Sequence, residues 1–175
     1  MIPKAELLTQ MQANRQALIN TIEGVPEDVL AKPKVVGDWS VLDVLAHTTA
    51  WDGETLRRIA FATGQSNHPP HDIDDDGYWL AWNDEQVEIK RVLGPRGIKV
   101  DMAGTWARLL AKIEMLSELD YARWAEIDPH AFDERHDLKH TRQLQLWRET
   151  WEQSLPWWQR LRRKFSKPSS PQTGN

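Results

Sequence analysis

Large apolar residues return every three to four positions through four long segments of this chain, and no paired segments alternate with the period of two that half-buried strands require. The first segment sets Leu7, Leu8, Met11, Leu18, Ile19 and Ile22 on one side, with Pro3 as a first-turn proline and Gly24 near its end. The second runs from about Val41 to Ala62 and opens with Ser40 and, three residues on, Asp43, the form of a capping box. The third gathers Met102, Trp106, Leu109, Leu110, Ile113 and Leu116. The fourth, from about Thr141 to Phe165, gathers Leu144, Trp147, Trp151, Leu155, Trp158 and Phe165, and Pro156 inside it predicts a kink or a freed carbonyl near Glu152.

Between these segments the chain is punctuated. "VPEDVLAKPKVVGDW" has room for one helical turn, "TGQSNHPPHDIDDDG" is too long for a tight turn, and "YWLAWNDEQVEIKRVL" reads as a helix or a partly helical return. "GPRGIKV" is expected to break the chain, and Pro129 to interrupt "DYARWAEIDPHAFDERHDLKH". The expected fold is all-α: an antiparallel four-helix bundle over residues 1–165 as a single domain, with a long loop or an extra short helix between helices two and three. Residues 166–175, "SKPSSPQTGN" with Ser166 at its head, are expected to form a disordered tail.

Composition narrows the function. With 26 acidic against 22 basic residues spread along the chain, no general phosphate-binding face is expected, and nucleic acid is not a primary partner. The absence of cysteine excludes disulfides, thiolate metal sites and a cysteine nucleophile. Neither a signal-peptide core nor a run of about 18 apolar residues occurs, so a soluble, cytoplasmic protein without a membrane partner is expected. Ten tryptophans beside two tyrosines and three phenylalanines supply large rings suited to a core or to the wall of a ligand pocket.

Several polar groups fall on inward faces. Asp52 lands in the middle of the apolar side of helix two, with Thr48 and Thr55 near enough to bond it, so the carboxylate must find a partner or titrate upward. His47 lies at the edge of that face, on a strip with Asp43, Trp51, Glu54 and Arg58, where Asp43 and His47 have the spacing of an exposed i,i+4 pair. Thr150 and Ser154 sit at the centre of the Trp-lined stripe of helix four. His136 and His140 have the spacing that lets two imidazoles share a metal, but the charged "DERHDLKH" around them reads as a solvated helix start. "DIDDDG" opens like a calcium loop and then offers Asn83 where the bidentate glutamate belongs.

The stretch "GDWSVLDVLAHTTAWD" resembles the signature of the DinB/YfiT-like four-helix bundles and, within them, of the ClbS/DfsB branch, matching at Gly37, Trp39, Ser40, Asp43, Ala46, His47, Trp51 and, with Asp for Glu, Asp52. The resemblance extends over residues 4–165 through "KAELL", "GVPEDVL", Trp82 with Asn83, and "LPWW". It implies that His47 corresponds to one metal ligand of the metal-binding members, whose other two come from an H-x-x-x-H pair on helix four. Aligning the branch's "H-Y-x-E-H-L-P-W" with "TWEQSLPW" puts Thr150 and Ser154 at that pair, which removes the triad. His136 and His140 would restore it only if the register slipped from 150 and 154 by fourteen residues, roughly 21 Å along a helix.

No metal and no cofactor are therefore expected. The resemblance implies a small-molecule ligand, with His47 and Asp52 as the catalytic pair inside a pocket of Trp39, Trp51, Trp147, Thr150, Trp151 and Ser154. The leading expectation is a metal-independent hydrolase or sequestering self-resistance protein for an electrophilic compound. A metal-dependent enzyme of the thiol-transferase kind and a non-catalytic homodimer are the alternatives.

Overall fold

The computed structural model describes residues 2–72, 74–129 and 135–159; the expected tail and the distal end of helix four lie outside the described residues. The described residues fold as α1 (Lys4–Ile22), α2 (Glu27–Leu30), α3 (Val41–Ala62), α4 (Asp76–Arg91), α5 (Gly94–Glu114), α6 (Glu118–Ile127) and α7 (Arg135–Ser154). Among them the only extended pairing is an isolated bridge between Val36 and Trp39. The protein is all-α over this range, and no described helix is long and apolar enough to cross a membrane.

The entry to α3 is built from local chemistry. Gly37 takes a φ of +59°, which lets Trp39 N–H reach back to the Val36 carbonyl at 3.0 Å and aims the Trp39 ring inward. Ser40 then caps α3: its Oγ accepts from Asp43 N–H at 3.1 Å, while Asp43 Oδ2 accepts from Ser40 N–H at 2.8 Å. The capping box read from the sequence is present.

Two apolar clusters fix the running directions. The first joins Leu18 and Ile22 from the end of α1, Val41 to Ala46 from the start of α3, Ile98 and Met102 from the start of α5, and Leu144 of α7. The second joins Leu7 from the start of α1, Ile59 and Ala62 from the end of α3, and Leu109 and Ile113 from the end of α5. Thus α1 runs against α3, whereas α3 and α5 run the same way. An antiparallel set was expected; α4 carries the chain back along α3, so α5 starts beside the start of α3.

Two expected interruptions resolve differently. "GPRGIKV" does not break the chain, because Pro95 occupies the first turn of α5, where its missing N–H costs nothing, and Gly97 leaves room where a Cβ would stand 2.8 Å from Leu93 Cβ. α7 starts at Arg135, ahead of the expected Thr141, and is interrupted after Ser154 with helical residues again at 157–159, as expected of a Pro156 that cannot donate to the Glu152 carbonyl. Leu155 N–H takes that carbonyl at 3.3 Å instead.

Candidate functional site

Three histidines from two helices converge. His47 stands in the second turn of α3; His136 and His140, four apart and therefore on one face, stand in the first turns of α7. One nitrogen from each ring lies within 4.8 Å of the other two. The Nε2 atoms of His47 and His136 face each other at 3.0 Å, and the ring centroids of His47 lie 5.0 Å from both His136 and His140. His140 Nδ1–H donates to Gln143 Oε1 at 2.9 Å, which leaves its Nε2 as a lone pair.

The environment keeps these rings uncharged. Burial, reinforced by the neighbouring His136 and His140, pulls the His47 pKa down to about 2, and partial enclosure lowers that of His136, whose side chain stays 40% exposed. Burial also lowers His140, against the opposing bond to Gln143. Neutral imidazole is the form that ligates a metal. Trp39 lies 4.9 Å from His47 and Trp51 lies 5.9 Å from His136, walling the cluster with indole rings. The donor set fits a transition-metal ion: three neutral rings converge with one nitrogen each, and an odd set of imidazole nitrogens cannot pair fully among itself. The 3.0 Å separation is close to the roughly 3.3 Å between two nitrogens on one tetrahedral zinc.

Asp52 lies in a second buried set beside the first. Arg15 of α1 donates from Nη1 to Asp52 Oδ2 at 2.8 Å and from Nη2 to Asp52 Oδ1 at 2.9 Å, and from Nε to Asp137 Oδ2 of α7 at 3.0 Å. Burial pushes the Asp52 carboxyl up to about 6, with the Arg15 guanidinium pulling the other way, so the pair is ionised at neutral pH. The upward shift was expected; the partner was not. Thr48 Oγ1 donates to the Leu45 carbonyl and Thr55 Oγ1 to the Trp51 carbonyl, and neither bonds Asp52.

A family model for the DinB superfamily matches residues 10–148, a span that holds all three histidines. The chain belongs to the DinB superfamily. No curated protein and no solved structure matches it.

Within this DinB chain the expected site residues separate. Trp39 and Trp51 join His47. Thr150 and Ser154 do not: both are exposed and donate to carbonyls of their own helix, Leu146 at 3.0 Å and Trp151 at 2.6 Å. Trp147 and Trp151 stack on each other at 6.0 Å and pack on the first apolar cluster. The aligned register was therefore not the one that faces His47. The His136–His140 face does so without any slip, because α7 begins early enough to carry "RHDLKH" inside the helix. Nor is Asp43 an exposed partner of His47: it is buried, and Arg91 donates to its Oδ1 and Oδ2 at 2.8 and 3.1 Å. Burial pushes the Asp43 carboxyl up, but Arg91 and the two Ser40 bonds outweigh it and hold it below the ordinary value.

Further residues enter that sequence reasoning did not name: Arg15, Asp137 and Gln143. Asn83, named in the sequence as part of the resemblance and as a failed calcium ligand, accepts from Trp51 Nε1 at 2.9 Å and so fixes the ring that borders His136. In "DIDDDG", Asp75 caps α4 by accepting from Tyr78 N–H at 3.0 Å. On the other side of Trp51, a groove of about 440 Å³ opens between α3, α4 and α5, lined among others by Glu54, Arg57, Trp82, Lys90 and Arg108. Trp82 belongs to this groove and lies 5.4 Å from Trp51, so the groove adjoins the indole wall of the histidine cluster.

Proposed function

We propose that this chain is a metal-dependent enzyme of the DinB kind, with one divalent transition ion held by His47, His136 and His140. The observation that carries this reading is the convergence of the three rings within 4.8 Å, in the ligand arrangement of one helix-two histidine and one H-x-x-x-H pair. Such an ion supplies Lewis-acid activation of a thiol or water at the position that three protein ligands leave open. The protein's own residues do the rest: burial keeps the imidazoles neutral, Gln143 fixes the His140 tautomer, and Trp39 and Trp51 restrict water. The reaction class is thiol transfer to, or hydrolysis of, a small molecule that approaches past the indole wall.

The same reading takes α1, α3, α5 and α7 as the four helices of the bundle, supported by the packing of α1 on α7 and α5, and of α3 on α5 and α7. The metal-independent self-resistance role of the ClbS/DfsB branch asks Asp52 or His47 to activate water. Both oxygens of Asp52 are occupied by Arg15, which is why the chemistry is placed at the histidines.

Metal analysis of protein purified without a metal-affinity tag tests the proposal. Close to one equivalent of zinc, nickel or a similar ion is expected, retained through gel filtration and lost in His47→Ala, His136→Ala and His140→Ala. Metal-free protein that takes up no divalent ion at neutral pH would sink it.

A further inference from the structure

One guanidinium touches all four long helices. Arg15 projects from α1; its Nη atoms hold both oxygens of Asp52 on α3, its Nε holds Asp137 on α7, and its Cζ lies 4.1 Å from the centroid of the Trp106 ring on α5. The assembly is enclosed, with side-chain exposures of 3% for Arg15, 8% for Asp52 and 17% for Asp137. Arginine suits this place because its planar fork can serve one carboxylate bidentately and a second from Nε, which a lysine ammonium cannot copy.

The placement matters because Asp137 follows His136 directly and Asp52 stands little more than one turn beyond His47 on α3. The spacing between α3 and α7, and hence the approach of His136 to His47, passes through Arg15. Asp137 also bears on the ring itself: its Oδ1 is 4.0 Å from His136 Nδ1, on the side opposite the Nε2 that faces His47. At that distance the carboxylate acts on the ring through its charge, which favours a more basic imidazole.

We propose that Arg15 is a positioning residue for the metal centre: by clamping Asp52 and Asp137 it sets the α3–α7 spacing that closes the three-histidine site. This rests on the metal-centre reading above.

The test compares metal-free and metal-loaded protein for Arg15→Gln, Asp52→Asn and the double variant Arg15→Met with Asp52→Leu. Two quantities are read: affinity for Zn²⁺ by competition with a chromophoric chelator, and the visible spectrum of the Co²⁺ form. Replacing the two most buried members, Arg15 and Asp52, together by apolar residues removes the enclosed pair as a unit and leaves Asp137, the most exposed of the three at 17%, so the double variant keeps the question open where a single variant fails to fold. Affinity is expected to fall by about 10–100-fold in the double variant, with an altered Co²⁺ spectrum, although the metal-free protein melts near the parent temperature. Asp52→Asn should fall less, because Arg15 keeps Asp137. An unchanged affinity and Co²⁺ spectrum in a folded double variant would overturn the clamp while leaving the metal centre standing. Loss of the metal centre itself would show differently, as wild-type affinity indifferent to His136→Ala.

Discussion

Two of the buried polar sets on α3 differ in how far their hydrogen-bonding groups find partners. Glu54 and Arg58, 4% and 2% exposed, are saturated: Glu54 accepts from Arg57 and Arg58 at 2.8–2.9 Å, and Arg58 donates to the His71 carbonyl at 2.8 Å with Asp128 3.9 Å from its Nε. His47, 5% exposed, turns one nitrogen toward another imidazole nitrogen and leaves the second without a partner among the described residues. The charged set needs its partners in order to be buried at all and so explains itself as structure, whereas neutral imidazoles brought nitrogen to nitrogen gain little from one another and point to something they bind.

Breaking the histidine set should give the largest effect. Removing a ligand must exceed the 10–100-fold loss usual for groups behind the ligands, so His47→Ala, His136→Ala and His140→Ala should each weaken Zn²⁺ binding by about 1,000-fold, or about 4 kcal/mol. Chelator competition measures it. For His136→Ala, whose side chain is 40% exposed, the metal-free protein should lose less than about 1 kcal/mol of stability in urea.

The saturated set should behave the opposite way. Glu54→Ala removes the carboxylate bonded to the buried Arg58, which keeps the His71 carbonyl, the Trp79 ring and a more distant Asp128 among the described residues, and should cost about 3 kcal/mol by urea unfolding. Zinc affinity of the folded variant should stay at the parent value; a fall matching that of His136→Ala would merge the two sets into one.

Weaker, and confined to the helix end, is the cap. Ser40→Ala removes the acceptor for Asp43 N–H and should cost about 1 kcal/mol. Since Arg91 still holds Asp43, the start of α3 should stay in place, and zinc affinity should change less than for any histidine variant.

The sequence disclosed the helices far better than the pairing between them. Local signals sufficed where local chemistry decides: the capping box at Ser40 and Asp43, the single turn of α2, the end of α6 before Pro129. The site depends on two facts that are not local. One is where α7 begins, because its stripe of Leu144, Trp147 and Trp151 continues backward through His140 and His136 only if "RHDLKH" is helical; its charges hid this, since exposed Lys139 falls between the inward rings. The other is Arg15, which fills the gap between Met11 and Leu18 in the apolar stripe of α1, as Asp52 interrupts that of α3. Taken singly, each merely interrupts an apolar face. Only the packing of α1 on α7 and α5, which brings Arg15 to Asp52 of α3, shows that they cancel.

The smallest expected effect is the one that separates the two registers of α7. Thr150→Ala with Ser154→Ala removes both hydroxyls that the aligned register set opposite His47. Each hydroxyl is exposed and donates to a carbonyl of its own helix, a bond that water replaces at little cost, and alanine raises helix propensity at both positions. Stability should therefore change by no more than about 0.5 kcal/mol, in either direction. Zinc affinity and the Co²⁺ spectrum should match the parent, because His136 and His140 lie at least two turns away toward the start of α7. A clear loss of metal in this variant, with histidine variants that bind normally, would mean that the later turns of α7 face His47 and would restore the hydroxyl-lined pocket in place of the histidine centre.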